Sequence, residues 1–224
     1  AVLYSAGLPV VGAAGATVQS TSATIVNMSF GGGDVTVMRN AISAAVNAGV
    51  LIIASAGNDN TTFGFFPASY PGVLSVAATG PDGNVARYSN GGAAVAIAAP
   101  GGDPNFWNIG SAGVLSTVWN FVTNTGGYAY YAGTSMAAPH VTGVAALLLS
   151  AEPALTAADI RARLTQFASP VLGPQRSDLY GTGYLNAFSA LARARTRGER
   201  TQVRLISATS GDTVRSSRRA SRSP

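Results

Sequence analysis

A serine that acts as a nucleophile needs an exposed hydroxyl, donors for the negative charge that develops on the attacked group, and a base. The stretch Gly133-Thr134-Ser135-Met136-Ala137-Ala138-Pro139-His140 offers the first two. Gly133 permits a tight backbone turn, and Thr134 is expected to be the N-cap of a helix that Ser135 begins. The run Val141, Val144, Ala145, Leu147, Leu148 and Leu149 is apolar almost all round, which predicts a core helix with only its first turn in water. Pro139 has no N–H and leaves the Ser135 carbonyl without its i+4 donor. The unpaired amides and partial positive charge of a helix N-terminus suit a serine that passes through an oxyanion. Taken alone, a Ser that merely caps a core helix explains the same residues.

The base is harder to find. His140 is the single histidine of the chain. Five residues past Ser135 on a helix, it is rotated by roughly 140° and raised by roughly 7.5 Å. It points away from the serine and is expected to be a buried, hydrogen-bonded helix residue. Other chemistries fare worse. Cysteine is absent and all 14 basic residues are arginine, which removes thiolate metal sites, P-loops and Ser-x-x-Lys nucleophiles. The acids before residue 193 are scattered, mostly in turns, with neither paired carboxylates nor metal-ligand spacing. The G-x-S-x-G elbow of α/β-hydrolases fails at Ala137, and no histidine follows His140.

The elements that must position Ser135 read as one α/β core. A length of 224 residues with 47% hydrophobic content can bury one such core. No stretch reaches the roughly 18 uninterrupted apolar residues of a membrane span. Ala1 to Leu8 has no basic flank, a poor signal peptide, and is read as part of a helix; Gly12 to Ser22 is read as loop. Ile25 to Phe30, ended by Gly31-Gly32-Gly33, is a buried strand. Asp34 is expected to cap a helix over Val35 to Ala48, with Val37, Met38, Ala41, Ile42, Ala45 and Val46 on its apolar face and Gly49 closing it. Val50 to Ala54 completes a βαβ unit, whose crossover is right-handed. A nucleotide loop there would need a third glycine where Thr36 stands. Strands follow over Val73 to Ala78 and Val95 to Gly101. Val114 to Val118 and Tyr128 to Tyr131 form a hairpin linked by Asn124 to Gly127, which delivers the chain to Ser135. Thr156-Ala157-Ala158-Asp159 is a capping box opening a helix to about Phe167.

The eleven residues Gly133-Thr134-Ser135-Met136-Ala137-Ala138-Pro139-His140-Val141-Thr142-Gly143 resemble the nucleophile signature of the subtilases, the subtilisin-like serine peptidases. Ala56-Gly57-Asn58 is similar to the family's oxyanion motif, although an asparagine beside a glycine is also an ordinary turn. Tyr88-Ser89-Asn90 and Ala99-Pro100-Gly101 resemble scaffold motifs of the family, and Gly181-Thr182-Gly183-Tyr184-Leu185-Asn186-Ala187 its closing pattern. The resemblance implies a doubly wound, mostly parallel sheet with helices on both faces. It implies Ser135 as nucleophile and Asn58 as oxyanion donor. Ser29, Phe30 and Gly31 would be an edge on which a peptide pairs as an added strand, and Ser55, Ala56 and Gly57 the opposite wall of the specificity pocket. Phe65 or Phe66 would narrow that pocket.

The family's order is Asp, His, Ser, and its D-[ST]-G and H-G-T-H motifs, which lie upstream of the region similar to Ile25 to Phe30, do not occur in this sequence. The expectation is therefore that residues 1–192 are the C-terminal part of a catalytic domain, incomplete at its N-terminal side. Its partner would be the N-terminal half that supplies the Asp and His, and this chain alone would be inactive. The resemblance further implies secretion, a peptide or protein substrate, no cofactor for catalysis, and structural calcium. The alternative is an inert fragment or pseudoenzyme that binds peptides. Residues 193–224 hold nine arginines against Glu199 and Asp212, whereas the preceding part has five arginines against seven acids. The sequence pI near 10 thus describes a tail. A nucleic-acid role for it finds no interleaved aromatics, and a solvated extension or linker is the reading adopted, with neither nucleic acid nor membrane as partner.

Overall fold

The computed structural model of the chain describes residues 1–12, 15–103, 112–171 and 177–192, so the Arg-rich segment 193–224 lies outside the described residues. Its centre is a parallel sheet of four strands in the order β3-β4-β5-β6, with β3 at Ile25–Met28, β4 at Leu51–Ser55, β5 at Leu74–Thr79 and β6 at Val95–Pro100. Every residue of β4 and β5 is buried, as expected of apolar runs covered on both faces. Registers such as Val26 opposite Ile52 and Ile53 opposite Leu74 hold the strands in line.

Side-chain alternation divides the core. Leu51, Ile53, Leu74, Val76 and Ile97 point to one face, where α3 (Thr134–Ala151), α4 (Ala157–Gln166) and α5 (Ala187–Ala192) pack. Val50, Ile52 and Ala54 point to the other, under α1 (Val2–Ser5) and α2 (Thr36–Asn47). Helices on both faces of a parallel sheet make the fold doubly wound, as anticipated. Two small antiparallel pairs complete it. β1 (Val10–Val11) pairs β2 (Thr17–Val18), which lies inside the stretch from Gly12 to Ser22 expected to be plain loop, and β7 (Val114–Asn120) pairs β8 (Thr125–Tyr131). The β7–β8 turn falls at 121–124, three residues earlier than the link expected at Asn124 to Gly127, so Thr125, Gly126 and Gly127 belong to β8.

Local expectations met tertiary competition at three places. Asp34 does not cap α2: its carboxylate accepts from the Tyr70 hydroxyl at 2.9 Å and pairs with Arg39, and Val35 stands at the N-cap with no side-chain bond. Val37 is 78% exposed, so the buried stripe of α2 is carried by Ile42 and Ala45. Helix α3 is not buried all round. Ala137, Ala138, Val141, Val144, Ala145 and Leu148 face the sheet, while Pro139, His140, Gly143, Ala146, Leu147 and Ser150 form an exposed stripe. By length and composition α3 could cross a membrane. Its buried face against the strands and the hydrogen bonds at its first turn are those of a core helix. By contrast, the capping box of α4 forms as expected, with Thr156 accepting from the Asp159 amide and the Asp159 carboxylate accepting from the Thr156 amide.

Candidate functional site

The site lies at the C-terminal ends of β3 and β4, where open parallel sheets leave a crevice. Hairpin strand β8 ends at Tyr131, and Gly133 turns the chain into α3. The Gly133 amide donates to the Gly101 carbonyl at 2.9 Å. Gly101 is held in turn by the Tyr88 hydroxyl, 2.9 Å from its carbonyl and 2.5 Å from that of Gly102. Burial, reinforced by the Asp103 carboxylate, pushes the Tyr88 phenol well above its ordinary value, so it stays a donor across the working pH range.

Ser135 sits in the first turn of α3, half-buried. Its hydroxyl donates to the Ser29 carbonyl at 3.2 Å, and the Ser29 hydroxyl donates to the Ser135 carbonyl at 2.8 Å. The second bond answers the expectation raised by Pro139. The carbonyl that the proline leaves orphaned is satisfied from the end of β3, 106 positions earlier in sequence.

Thr134 does something other than cap. Its side chain makes no N-cap bond and is fully buried. The hydroxyl accepts from the Gly57 amide at 3.1 Å and donates to Asn58 Oδ1 at 2.8 Å, while the Thr134 amide donates to the same Oδ1 at 2.9 Å. The β4 end and the α3 start are thereby locked together. Oδ1 is therefore the end of the Asn58 amide bonded to the helix start, and the Nδ2 donor beside it lies 3.5 Å from where a β-carbon on Gly133 would stand. Asn58 itself is exposed. The turn carrying it is clamped by Asn90, only 1% exposed, which donates to the Ala56 carbonyl at 3.1 Å and accepts from the Asp59 and Thr61 amides at 2.8 and 3.2 Å. Sequence reading missed both the Thr134 bridge and the Asn90 clamp. The Tyr88-Ser89-Asn90 motif was the available signal for the clamp, although nothing local says where its amide reaches.

Ser29, Phe30 and Gly31 continue past β3, with Phe30 53% exposed, and Gly32 exchanges two backbone hydrogen bonds with Phe66 at 2.8 and 2.9 Å. Ser55 and Ala56 are buried, and the Ser55 hydroxyl faces back across the sheet to the Met28 carbonyl. An apolar groove of about 660 Å³ starts at Phe30 and Gly31 and is lined also by Val2, Val37, Met38 and Phe66. His140 departs from expectation in one respect: it is exposed, on the open stripe of α3. As anticipated, its ring is tied within its own helix, Nδ1 lying 2.8 Å from the Met136 carbonyl. Among the described residues no group of three or more His, Cys, Asp or Glu could hold a metal ion.

A model of the Subtilase family matches residues 8–183. An extracellular protease of Xanthomonas campestris pv. campestris is 38% identical over 200 residues, which is 87% of this chain and 32% of that protein. Subtilisin E of Bacillus subtilis is 35% identical over 176 residues, 76% of this chain and 42% of that one. The chain thus spans less than half the length of these curated relatives. Among solved structures, a protease of Pseudoalteromonas arctica superposes with a TM-score of 0.74 at 36% identity, covering 86% of this chain and 57% of that chain. Fervidolysin from Fervidobacterium pennivorans, a keratinolytic enzyme related to subtilisin, does so with a TM-score of 0.65 at 35% identity, covering 76% and 27%.

Proposed function

We propose, from the premise that this chain belongs to the subtilase family of serine peptidases, that it carries the nucleophile and the oxyanion donors of a secreted endopeptidase. Ser135 Oγ attacks the carbonyl of a peptide bond. Asn58 Nδ2 and the Ser135 amide, which has no intrahelical acceptor in the first turn, hold the oxyanion. Collapse of the tetrahedral intermediate expels the amine and leaves an acyl-enzyme on Ser135, which water hydrolyses. The general base and its orienting aspartate come from sequence outside these 224 residues. His140 is five residues along the same helix, with Nδ1 committed to Met136. The substrate backbone lies as an added strand between Ser29–Gly31 and Ser55–Gly57. Secretion follows the relatives described as extracellular.

The observation that supports this reading most is the pair of hydrogen bonds from Thr134 to Asn58 Oδ1, at 2.9 and 2.8 Å. They fix an amide donor beside the one serine placed at the start of the core helix. Such preorganisation is what electrostatic stabilisation of an oxyanion requires, because the donors do not have to reorient as charge develops. The Ser135 hydroxyl rests on the Ser29 carbonyl.

The test is a fluorophosphonate probe applied to the full-length protein and, separately, to this chain, with Ser135→Ala as control and the adduct located by mass spectrometry. Labelling of Ser135 in the full-length protein alone is the expected result. No labelling in either leaves a peptide-binding module without turnover, and labelling of the isolated chain would mean that a base lies within it.

A further inference from the structure

The crevice between the ends of β3 and β4 opens at Ser135, and its two lips are both glycine. Gly31 is on the β3 side, two residues past the Ser29 carbonyl that holds the nucleophile. Gly57 is on the β4 side, where its amide meets Thr134 Oγ1. A β-carbon on Gly31 would stand 2.4 Å from Phe65 Cε1 and 2.9 Å from its Cδ1; one on Gly57 would stand 2.8 Å from Phe65 Cγ and 3.0 Å from the same Cδ1. The two lips therefore converge on one ring. The absence of side chains at both glycines is what lets the Phe65 ring lie across the gap between the strand ends. Its backbone is anchored: the Phe65 amide donates to Ser69 Oγ at 3.1 Å, and its carbonyl accepts from the Ser69 amide at 2.9 Å. The next residue is bonded to Gly32 in both directions. Phe65 is half-buried.

We propose that Phe65 is a specificity-determining residue that occupies the space beside Ser135, restricting the substrate to Gly, Ala or Ser at the residue whose carbonyl is attacked. This inference rests on the peptidase reading above and deepens it. A peptide strand laid between the two lips must send the side chain of that residue down between them, because strand side chains alternate perpendicular to the sheet. The volume it would enter is taken by an aromatic ring held at both flanks. A methyl or hydroxymethyl group fits above the ring edge. An aromatic or long aliphatic group meets it and would force an off-rotamer side chain or a backbone shift.

The experiment uses the full-length protein and matched chromogenic peptides that differ only in Ala or Phe at the position before the cleaved bond. Each enzyme is titrated by the fluorophosphonate probe on Ser135. The wild type is expected to have kcat/KM at least about tenfold higher for Ala than for Phe, the scale on which a pocket discriminates single groups. Phe65→Gly should lower that ratio at least about tenfold, by a gain on the Phe peptide. Phe65→Ala should move it the same way by less, and it serves if the glycine variant does not fold. A wild type that prefers Phe, or a ratio unmoved in both variants while Ser135 still labels, overturns the assignment of Phe65. A wild type that does not label at Ser135 overturns the peptidase reading itself and this inference with it.

Discussion

Replacing Thr134 by valine removes one oxygen and keeps the shape of a fully buried side chain, so it isolates the bridge between the strand end and the nucleophile helix. Two hydrogen bonds are lost, from the Gly57 amide at 3.1 Å and to Asn58 Oδ1 at 2.8 Å. Gly57 is buried. Its N–H is left without an acceptor, which costs about 1–3 kcal/mol. Asn58 is exposed and keeps the Thr134 amide at 2.9 Å, so water replaces much of what it loses, at a cost of about 0.5 kcal/mol. The sum is a destabilisation of about 1.5–3.5 kcal/mol, to be measured as a shift in urea midpoint at constant m value. The measurement belongs in a Ser135→Ala background of the full-length protein, where self-digestion does not interfere. In the active enzyme the same change should lower kcat about tenfold with little effect on KM, because a donor that swings away from the oxyanion weakens the transition state more than the bound substrate. Thr134→Ser is the control: it keeps the hydroxyl, loses about 1 kcal/mol for a buried methyl and keeps kcat. If valine and serine variants are equally stable and equally fast, the bridge has no energetic role and the positioning of Asn58 has another cause.

Ser29→Ala should cost about 1–2 kcal/mol in urea unfolding, because it strips the 2.8 Å donor from a Ser135 carbonyl that Pro139 cannot serve. Adding Pro139→Ala supplies an i+4 amide and should recover most of that loss, so additivity of the two changes would refute the explanation. The Asp159 carboxyl is held below its usual range by the hydroxyl and amide of Thr156. Its contribution to stability is therefore present above about pH 4 and lost as pH falls through the lowered folded-state value. Urea midpoints from pH 2 to 5 should fall less steeply for Asp159→Asn than for the parent, and parallel curves would count against the capping box as a pH-linked element.

Much of this architecture could be read directly. Ile25 to Phe30, Val50 to Ala54 and Val73 to Ala78 are apolar runs of strand length separated by an amphipathic helix and turns, and such local periodicity is enough to predict a parallel sheet. The capping box at Thr156 and Asp159 spans four residues and forms as written. The stretch from Gly133 to Gly143 likewise announces a serine at the head of a core helix. What sequence reasoning got wrong is non-local. Thr134 has N-cap chemistry, but its hydroxyl is worth more to Gly57 and Asn58, 77 and 76 positions away. Asp34 has the same chemistry and is taken by Tyr70 and Arg39. The apolar circumference of α3 predicts burial on all sides, whereas the described sheet covers one side only.

The residue types at 29, 58, 134 and 135 and their order along the chain were determined by sequence alone, because propensity and hydrophobic period act over a few residues. Which donor meets which acceptor, and which of two adjacent phenylalanines lies between Gly31 and Gly57, was decided by the tertiary structure. The partners there are set by the parallel register of β3 on β4 and by the packing of α3 across them. No local rule fixes a distance between groups 106 positions apart, such as the Ser29 hydroxyl and the Ser135 carbonyl; burial of the shared core does, because it leaves polar groups at the strand ends with only one another to satisfy them.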